Sequence, residues 1–310
     1  MSRRLPSASI LASFAIIYIF WGGTFLAIKI GDRSLPPEVL AALRFLAAGA
    51  ILYAWGWARG WPHPRLREWR AVAVVTVFMF PIGYGIQFWA ETRVPSGVTA
   101  VIVALVPLWV AALEIWGFRS DPASAKVLGG CLLGLAGMGV LMAGGGARAH
   151  LPLWPVLALV VAAFAWSLGT VLIPRLAMPR SAGMSAAAQM LLGGVMLAGL
   201  AAGAGELHGL DWAAAFTPAA FWSLAYLVLL GSVVAYGVFV WLLTRVAAVR
   251  VATYALVNPV VALFLGWGWG GEALTAASLA GSVIILGALA LVLSRRSQPE
   301  VTVATMTPQE

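Results

Sequence analysis

Long apolar runs separated by short polar segments dominate this sequence. Runs of about 20 apolar residues are long enough to cross a bilayer core of about 30 Å as helices. The apolar runs are continuous rather than alternating, which argues against a transmembrane β-barrel, and a helix satisfies its own backbone in lipid. The pattern therefore predicts an all-α polytopic membrane protein with ten transmembrane helices, at 10–30, 38–58, 71–90, 97–117, 124–143, 153–173, 183–204, 219–241, 249–270 and 275–294.

A segment of the second half repeats one of the first half. Residues 84–113 and 236–265 align without a gap at an offset of 152, with 9 identities in 30 positions. Each half has an odd number of predicted helices, so the second copy enters the membrane from the opposite face. Inverted repeats of this kind are typical of secondary transporters, with the substrate site near mid-membrane. The predicted organisation is an N-terminus at 1–9, a five-helix repeat at 10–146, a linker at 147–152, a second five-helix repeat at 153–294 and a disordered tail at 295–310.

The charge distribution predicts orientation and does not imply a nucleic-acid partner, although the net charge is +8. If the N-terminus is cytoplasmic, fourteen Lys and Arg residues in the loops, tails and span ends fall on the cytoplasmic side, against Arg33, Arg93 and Arg148 on the other side. This positive-inside bias places both termini in the cytoplasm. The single cysteine, Cys131, forms no intrachain disulfide. Metal-ligand spacings are absent, so we expect neither a metal nor a cofactor.

Two prolines and two acids are candidates for moving parts. Pro107 and Pro259 occupy matching positions in helices four and nine, and we interpret them as hinges, with a simple packing kink as the alternative. Glu91 and Glu114 are the candidates for proton coupling. Glu114 has a structural alternative, because it falls near the cytoplasmic end of its helix and could snorkel or pair with Arg119.

Polar and aromatic side chains within the spans are candidates for a substrate cavity. Arg44 lies roughly 9 Å inside helix two, where it needs an ion pair, water or a substrate. Lys29, Arg44 and Glu91 leave a local surplus of one positive charge, which favours neutral, zwitterionic or weakly anionic solutes. For each aromatic residue taken alone, packing or a position at the membrane interface is the favoured alternative to substrate binding. The candidate substrate-binding residues are Trp21, Lys29, Arg44, Tyr84, Gln87, Trp89, Glu91, Trp166, Gln189, Tyr236, Trp241, Tyr254 and Asn258.

Several segments together resemble the EamA family of the drug/metabolite transporter superfamily. They are WGGTFLAIK, PPEVLAALRFLAAG, AFAWSLGTVL and ALVNPVVALFLGWGWGGEALTAASLAGSVIILGALAL. The resemblance implies ten helices in two repeats, cytoplasmic termini in a bacterial plasma (inner) membrane, and efflux or exchange of small solutes. The family pattern falls on Trp21, Lys29, Arg44, Pro107, Pro259 and Gly271–Glu272. The first half departs from it, because Ser120 occupies the position that matches Glu272, so we interpret Glu272 as a helix cap.

The function that these patterns favour is secondary transport rather than enzymatic catalysis. The hypothesis is export or exchange of small metabolites or drug-like solutes, amino-acid-like or amphipathic, by alternating access. The sequence has no G-x-x-x-x-G-K motif, so it lacks the phosphate-binding loop that would drive transport by nucleotide hydrolysis. The partners would be a small-molecule substrate and the lipid bilayer, and a homodimer is left open. The alternatives are an intramembrane enzyme, although no histidine falls in a span, and a lipid scramblase or structural subunit.

Overall fold

The computed structural model describes residues 8–94, 99, 102–118, 125–143, 152–208, 210–270 and 274–293, and these contain helices and no strands. Two single helical turns, Trp212–Ala215 and Ala248–Val251, connect longer segments. The longer helical segments are α1 (Ala8–Gly31), α2 (Pro37–Ala58), α3 (Leu66–Ala90), α4 (Val106–Gly117), α5 (Ala125–Ala143), α6 (Leu153–Arg175), α7 (Ala182–Gly203), α8 (Pro218–Leu243), α9 (Tyr254–Gly270) and α10 (Ala276–Leu293).

Seven segments of the described chain are long and apolar enough to cross a membrane. They are α1, α2, α3, α6, α7, α8 and the segment Ala248–Leu265, which contains most of α9. Shorter apolar helices cover Val106–Gly117, Leu128–Leu141 and Ala276–Val292. The prediction of an all-α polytopic membrane protein is therefore confirmed for the described residues. Ten spans in two inverted repeats stay a prediction.

Two glycines in left-handed conformation end α2 and α7 in the same way. Gly60 has a φ of 73° and Gly205 a φ of 76°. The N–H groups of the residues that follow them, Trp61 and Glu206, each return to a carbonyl five residues earlier at 2.9 Å. This is the Schellman arrangement, in which glycine avoids the strain that a side chain would meet at positive φ. The two glycines are 145 positions apart in the sequence.

Helices α2 and α7 cross at close range and run in opposite directions. A Cβ atom on Gly49 would lie 2.7 Å from the backbone nitrogen of Leu191, and one on Gly194 would lie 2.7 Å from that of Leu46. The contacts are reciprocal, because Leu46 and Leu191, like Gly49 and Gly194, are 145 positions apart. The start of α2 lies beside the residue that follows α7, since Glu206 accepts hydrogen bonds from its first backbone N–H groups.

This antiparallel pairing defines two ends of the bundle. At the α1–α2 end, α1 continues into α2 through residues 32–36 and α7 continues into α8. At the opposite end, Trp61 after α2 packs against Gly183 in the first turn of α7.

We expect Gly194→Ala to lower the free energy of unfolding by about 1–3 kcal/mol, because an added methyl group meets backbone that cannot move aside by a rotamer change. Gly199→Ala on the same helix is the matched control, since a Cβ there meets nothing within 4 Å. Thermal unfolding of both detergent-purified variants measures the difference. Equal stability of the two variants would contradict the close α2–α7 crossing.

Segments of π-helix interrupt α3 and α8 at corresponding places. The first covers Phe78–Gly85 and contains Pro81, and the second covers Leu229–Val234. The offset of 152 that relates the repeated sequences also brings these two segments into overlap. A π turn breaks the regular i→i−4 ladder and frees backbone groups for other partners, often at functional sites. Both segments lie next to the cavity described below.

Candidate functional site

A cavity of about 70 Å³ lies between α1, α2, α3, the start of α4, α6 and α9. The candidate residues that line it are Trp21, Arg44, Tyr84, Gln87, Trp166, Tyr254 and Asn258. Its volume is well below the roughly 300–1,000 Å³ of typical ligand pockets. A solute larger than a few water molecules would therefore need the helices to move apart.

Among the described residues that line the cavity, Arg44 alone carries a positive charge. Its side chain is 2% exposed, and its Nε donates to the hydroxyl of Ser232 at 2.8 Å while Nη2 donates to the carbonyl of Gly231 at 3.3 Å. The guanidinium carbon lies 4.7 Å from the ring centroid of Phe45 and 5.7 Å from that of Tyr84. Among the described side chains, no carboxylate forms an ion pair with it. A buried charge without a counter-ion is costly, which is typical of a residue that meets an anion during function.

The π segment of α8 supplies the carbonyl that fixes both Arg44 and Trp21. The indole Nε1 of Trp21 donates to the carbonyl of Gly231 at 2.8 Å, the same oxygen that Arg44 contacts. A Cβ on Gly231 would lie 2.9 Å from Cγ2 of Thr24 and 3.3 Å from Nη2 of Arg44. A side chain at residue 231 would therefore require Thr24, and to a lesser extent the Arg44 guanidinium, to shift where α1, α2 and α8 meet. Gly231 and Ser232 were not predicted from the sequence, although a Gly-Ser pair inside an apolar span could have indicated them.

Aromatic rings hold the side of the cavity between α1 and α6. Trp21 meets Tyr254 edge-on at 4.5 Å between ring centroids, and lies 6.2 Å from Trp166 and 5.2 Å from Phe239. Trp166 in turn meets Tyr84 edge-on at 4.9 Å. Edge-to-face pairs of this kind are favourable beyond their buried area. The aromatic residues predicted for the cavity on α1, α3, α6 and α9 therefore form one connected wall.

Asn258 contributes an unsatisfied acceptor to the cavity. Its side chain is 5% exposed, and its Oδ1 has no hydrogen-bond partner among the described residues. A buried acceptor without a partner costs about 1–3 kcal/mol, which a donor on a bound solute would recover. Arg44 can thus bind an acidic group and Asn258 an N–H group at the same cavity.

Two of the predicted binding residues are buried outside the cavity and bind each other. The hydroxyl of Tyr236 donates to Oε1 of Gln189 at 2.9 Å. The amide nitrogen of Gln189 donates to the carbonyl and the hydroxyl of Ser185, both at 3.1 Å. These side chains join α7 to α8.

Four further candidates do not reach the described cavity lining. Trp89 and Trp241 lie at the ends of α3 and α8, and each is covered by the guanidinium of the arginine four residues on, Arg93 at 4.4 Å and Arg245 at 4.1 Å from the ring centroid. Lys29 is exposed. The side chain of Glu91 lies outside the described part of the structure, as do Gly271, Glu272, Arg119 and Ser120.

The remaining coupling and hinge candidates have distinct surroundings. Glu114 accepts a charged hydrogen bond from Nη2 of Arg175 at 2.5 Å, which ties α4 to α6. The sequence predicts Pro107 in mid-helix, and the structure instead places it in the first turn of α4, after a turn at 104–105. The missing N–H is not needed at that position. Pro259 lies inside α9, so the two prolines are not equivalent in local structure.

Comparison with known proteins gives consistent similarities along the whole chain. The sequence model of the EamA-like transporter family matches residues 8–143 and 153–294. The inner membrane transporter YedA of Escherichia coli (strain K12) is 35% identical over 283 residues, which cover 91% of this chain and 89% of the relative. A probable amino-acid metabolite efflux pump of Salmonella typhimurium is 27% identical, covering 88% of this chain and 91% of the relative.

The fold also has a counterpart among solved structures. A protein crystal structure superimposes with a TM-score of 0.78 at 21% identity, covering 93% of this chain and 98% of that chain. At this level of identity the similarity concerns the fold.

Proposed function

Because this chain belongs to the EamA-like transporter family, we propose that it is a secondary transporter that carries small carboxylate-bearing solutes across the bacterial plasma membrane by alternating access. The observation that carries this proposal is the buried guanidinium of Arg44, which faces a central cavity without a described carboxylate partner. Both termini would be cytoplasmic, as the charge pattern predicts.

Paired contacts between the halves support two inverted repeats of five helices. Thr24 meets Gly231 across α1 and α8, and Gly169 meets Met79 across α6 and α3. Thr24 and Gly169 are 145 positions apart, and Met79 and Gly231 are 152 apart.

A second pair of contacts follows the same two offsets. The hydroxyl of Ser167 donates to the carbonyl of Val106 at 3.3 Å, and a Cβ on Gly22 would lie 3.3 Å from the carbonyl oxygen of Asn258. Reciprocal contacts are what a two-fold axis produces. Since α2 and α7 are antiparallel, the axis between them would run across the helices, as an inverted repeat requires.

The same two offsets match Arg44 of the first half with the neutral Gln189 of the second half. Arg44 lies beside Tyr84, and the positions that correspond to them hold Gln189 and Tyr236, which are hydrogen-bonded to each other. The amide in the second half is thus satisfied within the protein, whereas the guanidinium faces the cavity. This asymmetry favours a solute with one acidic group over a dianion or a cation.

Asn258 and the aromatic wall narrow the solute class further. The Oδ1 of Asn258 can accept a hydrogen bond from an ammonium group while Arg44 binds the carboxylate. The rings of Trp21, Trp166 and Tyr254 would contact an apolar side chain. A zwitterionic, amino-acid-like solute with an apolar side chain fits these groups, and one relative is named as a probable amino-acid metabolite efflux pump.

Counterflow in proteoliposomes made from the pure protein tests this proposal. We expect saturable exchange of apolar amino acids such as phenylalanine, and at least tenfold weaker competition by phenylalaninamide, which lacks the carboxylate. Flux that does not saturate would indicate a channel. Lipid scrambling without solute exchange, or chemical conversion of the solute, would instead support one of the alternative functions.

A further inference from the structure

Three carboxyl groups from two distant parts of the sequence, Asp32 and Glu38 in one and Glu206 in the other, meet at the α1–α2 end. Asp32 follows α1, Glu38 lies in the first turn of α2, and Glu206 follows α7. Oε2 of Glu206 accepts hydrogen bonds from the backbone N–H groups of Glu38 at 3.0 Å and Val39 at 3.2 Å. The contact joins the two halves of the chain and helps to close this end of the bundle.

The other two carboxyl groups of this triad are not satisfied. The Glu38 side chain is 7% exposed, and its Oε2 has no hydrogen-bond partner among the described residues. That oxygen lies 3.7 Å from where a Cβ of Gly85 would be, so it points between α2 and α3. Oδ1 of Asp32 is likewise buried without a described partner. A carboxylate buried in this way is costly, whereas a neutral carboxylic acid is far less so.

No cation of the described part of the chain neutralises the triad. The one described ion pair joins Arg175 to Glu114 and involves none of these acids. Arg44, six residues beyond Glu38 on α2, is buried at the cavity and forms no ion pair with a described carboxylate. The other charged groups described near this end are exposed, and the side chain of Glu91 lies outside the described part of the structure. These exposed groups are Lys29, Arg33, Arg93, His208 and Asp211.

The opposite end of the bundle closes without any acid at the corresponding place. Trp61 and Glu206 are 145 positions apart, as are Gly183 and Glu38. Trp61 packs on Gly183, an apolar contact that does not titrate, where the α1–α2 end has Glu206 on the backbone of Glu38. Closure as such therefore does not require carboxyl groups, and their presence at one end needs a separate reason.

We propose that Asp32, Glu38 and Glu206 form a proton-binding site, and that closure of the α1–α2 end takes up protons. The proposed transport function makes this closure a step of the cycle, and the role of the site in transport rests on it. The described residues contain no group of three or more acidic, histidine or cysteine side chains arranged to hold a metal ion. The proton is therefore the cation that fits the triad.

The direction of the pKa shifts determines how closure of the α1–α2 end depends on pH. Burial, and next the nearby charge of Glu206, raise the pKa of Asp32 from 3.8 to about 7. Burial also raises the pKa of Glu206, while its two backbone N–H donors act in the opposite direction. A closed state with raised pKa values binds protons more tightly than an open, hydrated one. Its advantage is complete below about pH 4, declines as the pH rises, and levels off above about pH 7.

The test combines an infrared titration with a distance measurement on the full chain in liposomes. Infrared absorption of protonated carboxyl groups reports proton binding, and spin labels on cysteines at Arg33 and Leu207, in a Cys131→Ala background, report closure. We expect the label distance to lengthen as the pH rises from about 4 to about 7, together with loss of the protonated band.

The matched variants separate this site from other acids. In Asp32→Asn/Glu38→Gln, whose amides mimic protonated acids, we expect the titrating band to shrink and the distance to stay short at every pH. Asp211→Asn, an exposed acid at the same end, should behave as the parent protein does. The proposal would be overturned if the band and the label distance of the parent protein did not change with pH, an outcome that does not depend on any variant folding. It would also be overturned if the double variant titrated as the parent protein does. A label distance that changed with the sodium concentration at constant pH would also overturn the proposal.

Failure of the transport function would give a different result. If no solute exchanges in proteoliposomes while the band and the distance still titrate as described, the carrier proposal is wrong and the proton site stands.

Discussion

Arg44→Gln is expected to reduce exchange of a carboxylate solute by about 100-fold, because the lost charged hydrogen bonds are worth about 2–3 kcal/mol. The same variant should exchange the amide analogue, which lacks the carboxylate, as well as the parent protein does. Arg44→Lys should recover part of the activity, since it keeps the charge but loses the planar fork of donors. Counterflow with phenylalanine and phenylalaninamide measures the three effects in one assay.

Stability separates this role from a structural one. Removing a buried charge that has no counter-ion among the described residues relieves a desolvation cost, so we expect the melting temperature of Arg44→Gln to be equal to or above that of the parent protein. Arg33→Gln, which removes an exposed arginine at the α1–α2 end, is the charge-matched control and should leave exchange unchanged. A variant that transports the carboxylate normally, or that loses both solutes together with its stability, would show that Arg44 supports packing and not binding.

The membrane class and the main cavity residues could be predicted from the sequence because both depend on local signals. Continuous apolar runs specify spanning helices whatever their neighbours are, and the EamA resemblance is confirmed by the family match. Arg44 was visible because an arginine inside an apolar run is costly wherever the helix packs. Trp21, Tyr84 and Trp166 followed from the repeat and from the motif around each tryptophan.

The parts of the site that the sequence did not predict depend on contacts between distant segments. The carbonyl of Gly231 becomes a shared acceptor only because α8 is locally π-helical and packs against α1 and α2. Glu206 reaches the start of α2 across 168 positions of sequence. A contact between such distant segments has no local signal in the sequence, so the meeting of Glu206 with Glu38 could not be predicted.

The sequence revealed only part of the internal repeat, because the two halves do not correspond at a single offset. An offset of 152 relates the sequences of α3 and α8, whereas the contacts of α2 and α7 follow an offset of 145. The difference means that the connections between these helices differ in length, so a search at one offset finds only half of the correspondence. Gly60 and Gly205, which end two helices at positive φ, follow the second offset.

Trp21→Ala is expected to be the most destabilising single change at the cavity, at about 3–5 kcal/mol of unfolding free energy. Trp21 is 4% exposed, donates to Gly231, and contacts the rings of Trp166 and Phe239 in the other half of the chain. Truncation would leave a void between α1, α6 and α9 that the surrounding rings cannot fill without moving. Trp21→Phe keeps a ring but loses the indole donor, so we expect a smaller loss, of about 1–3 kcal/mol.

Trp154→Ala on α6 is the matched control, because that side chain is 76% exposed on the surface of the described chain and would face lipid. Unfolding of all three variants in one detergent, followed by circular dichroism, gives the comparison. If Trp21→Ala were no more destabilising than Trp154→Ala, the aromatic wall would not be holding the two halves together. The cavity would then have to be closed by the end contacts alone, Glu206 on α2 at one end and Trp61 on α7 at the other, and variants at those contacts would become the more destabilising ones.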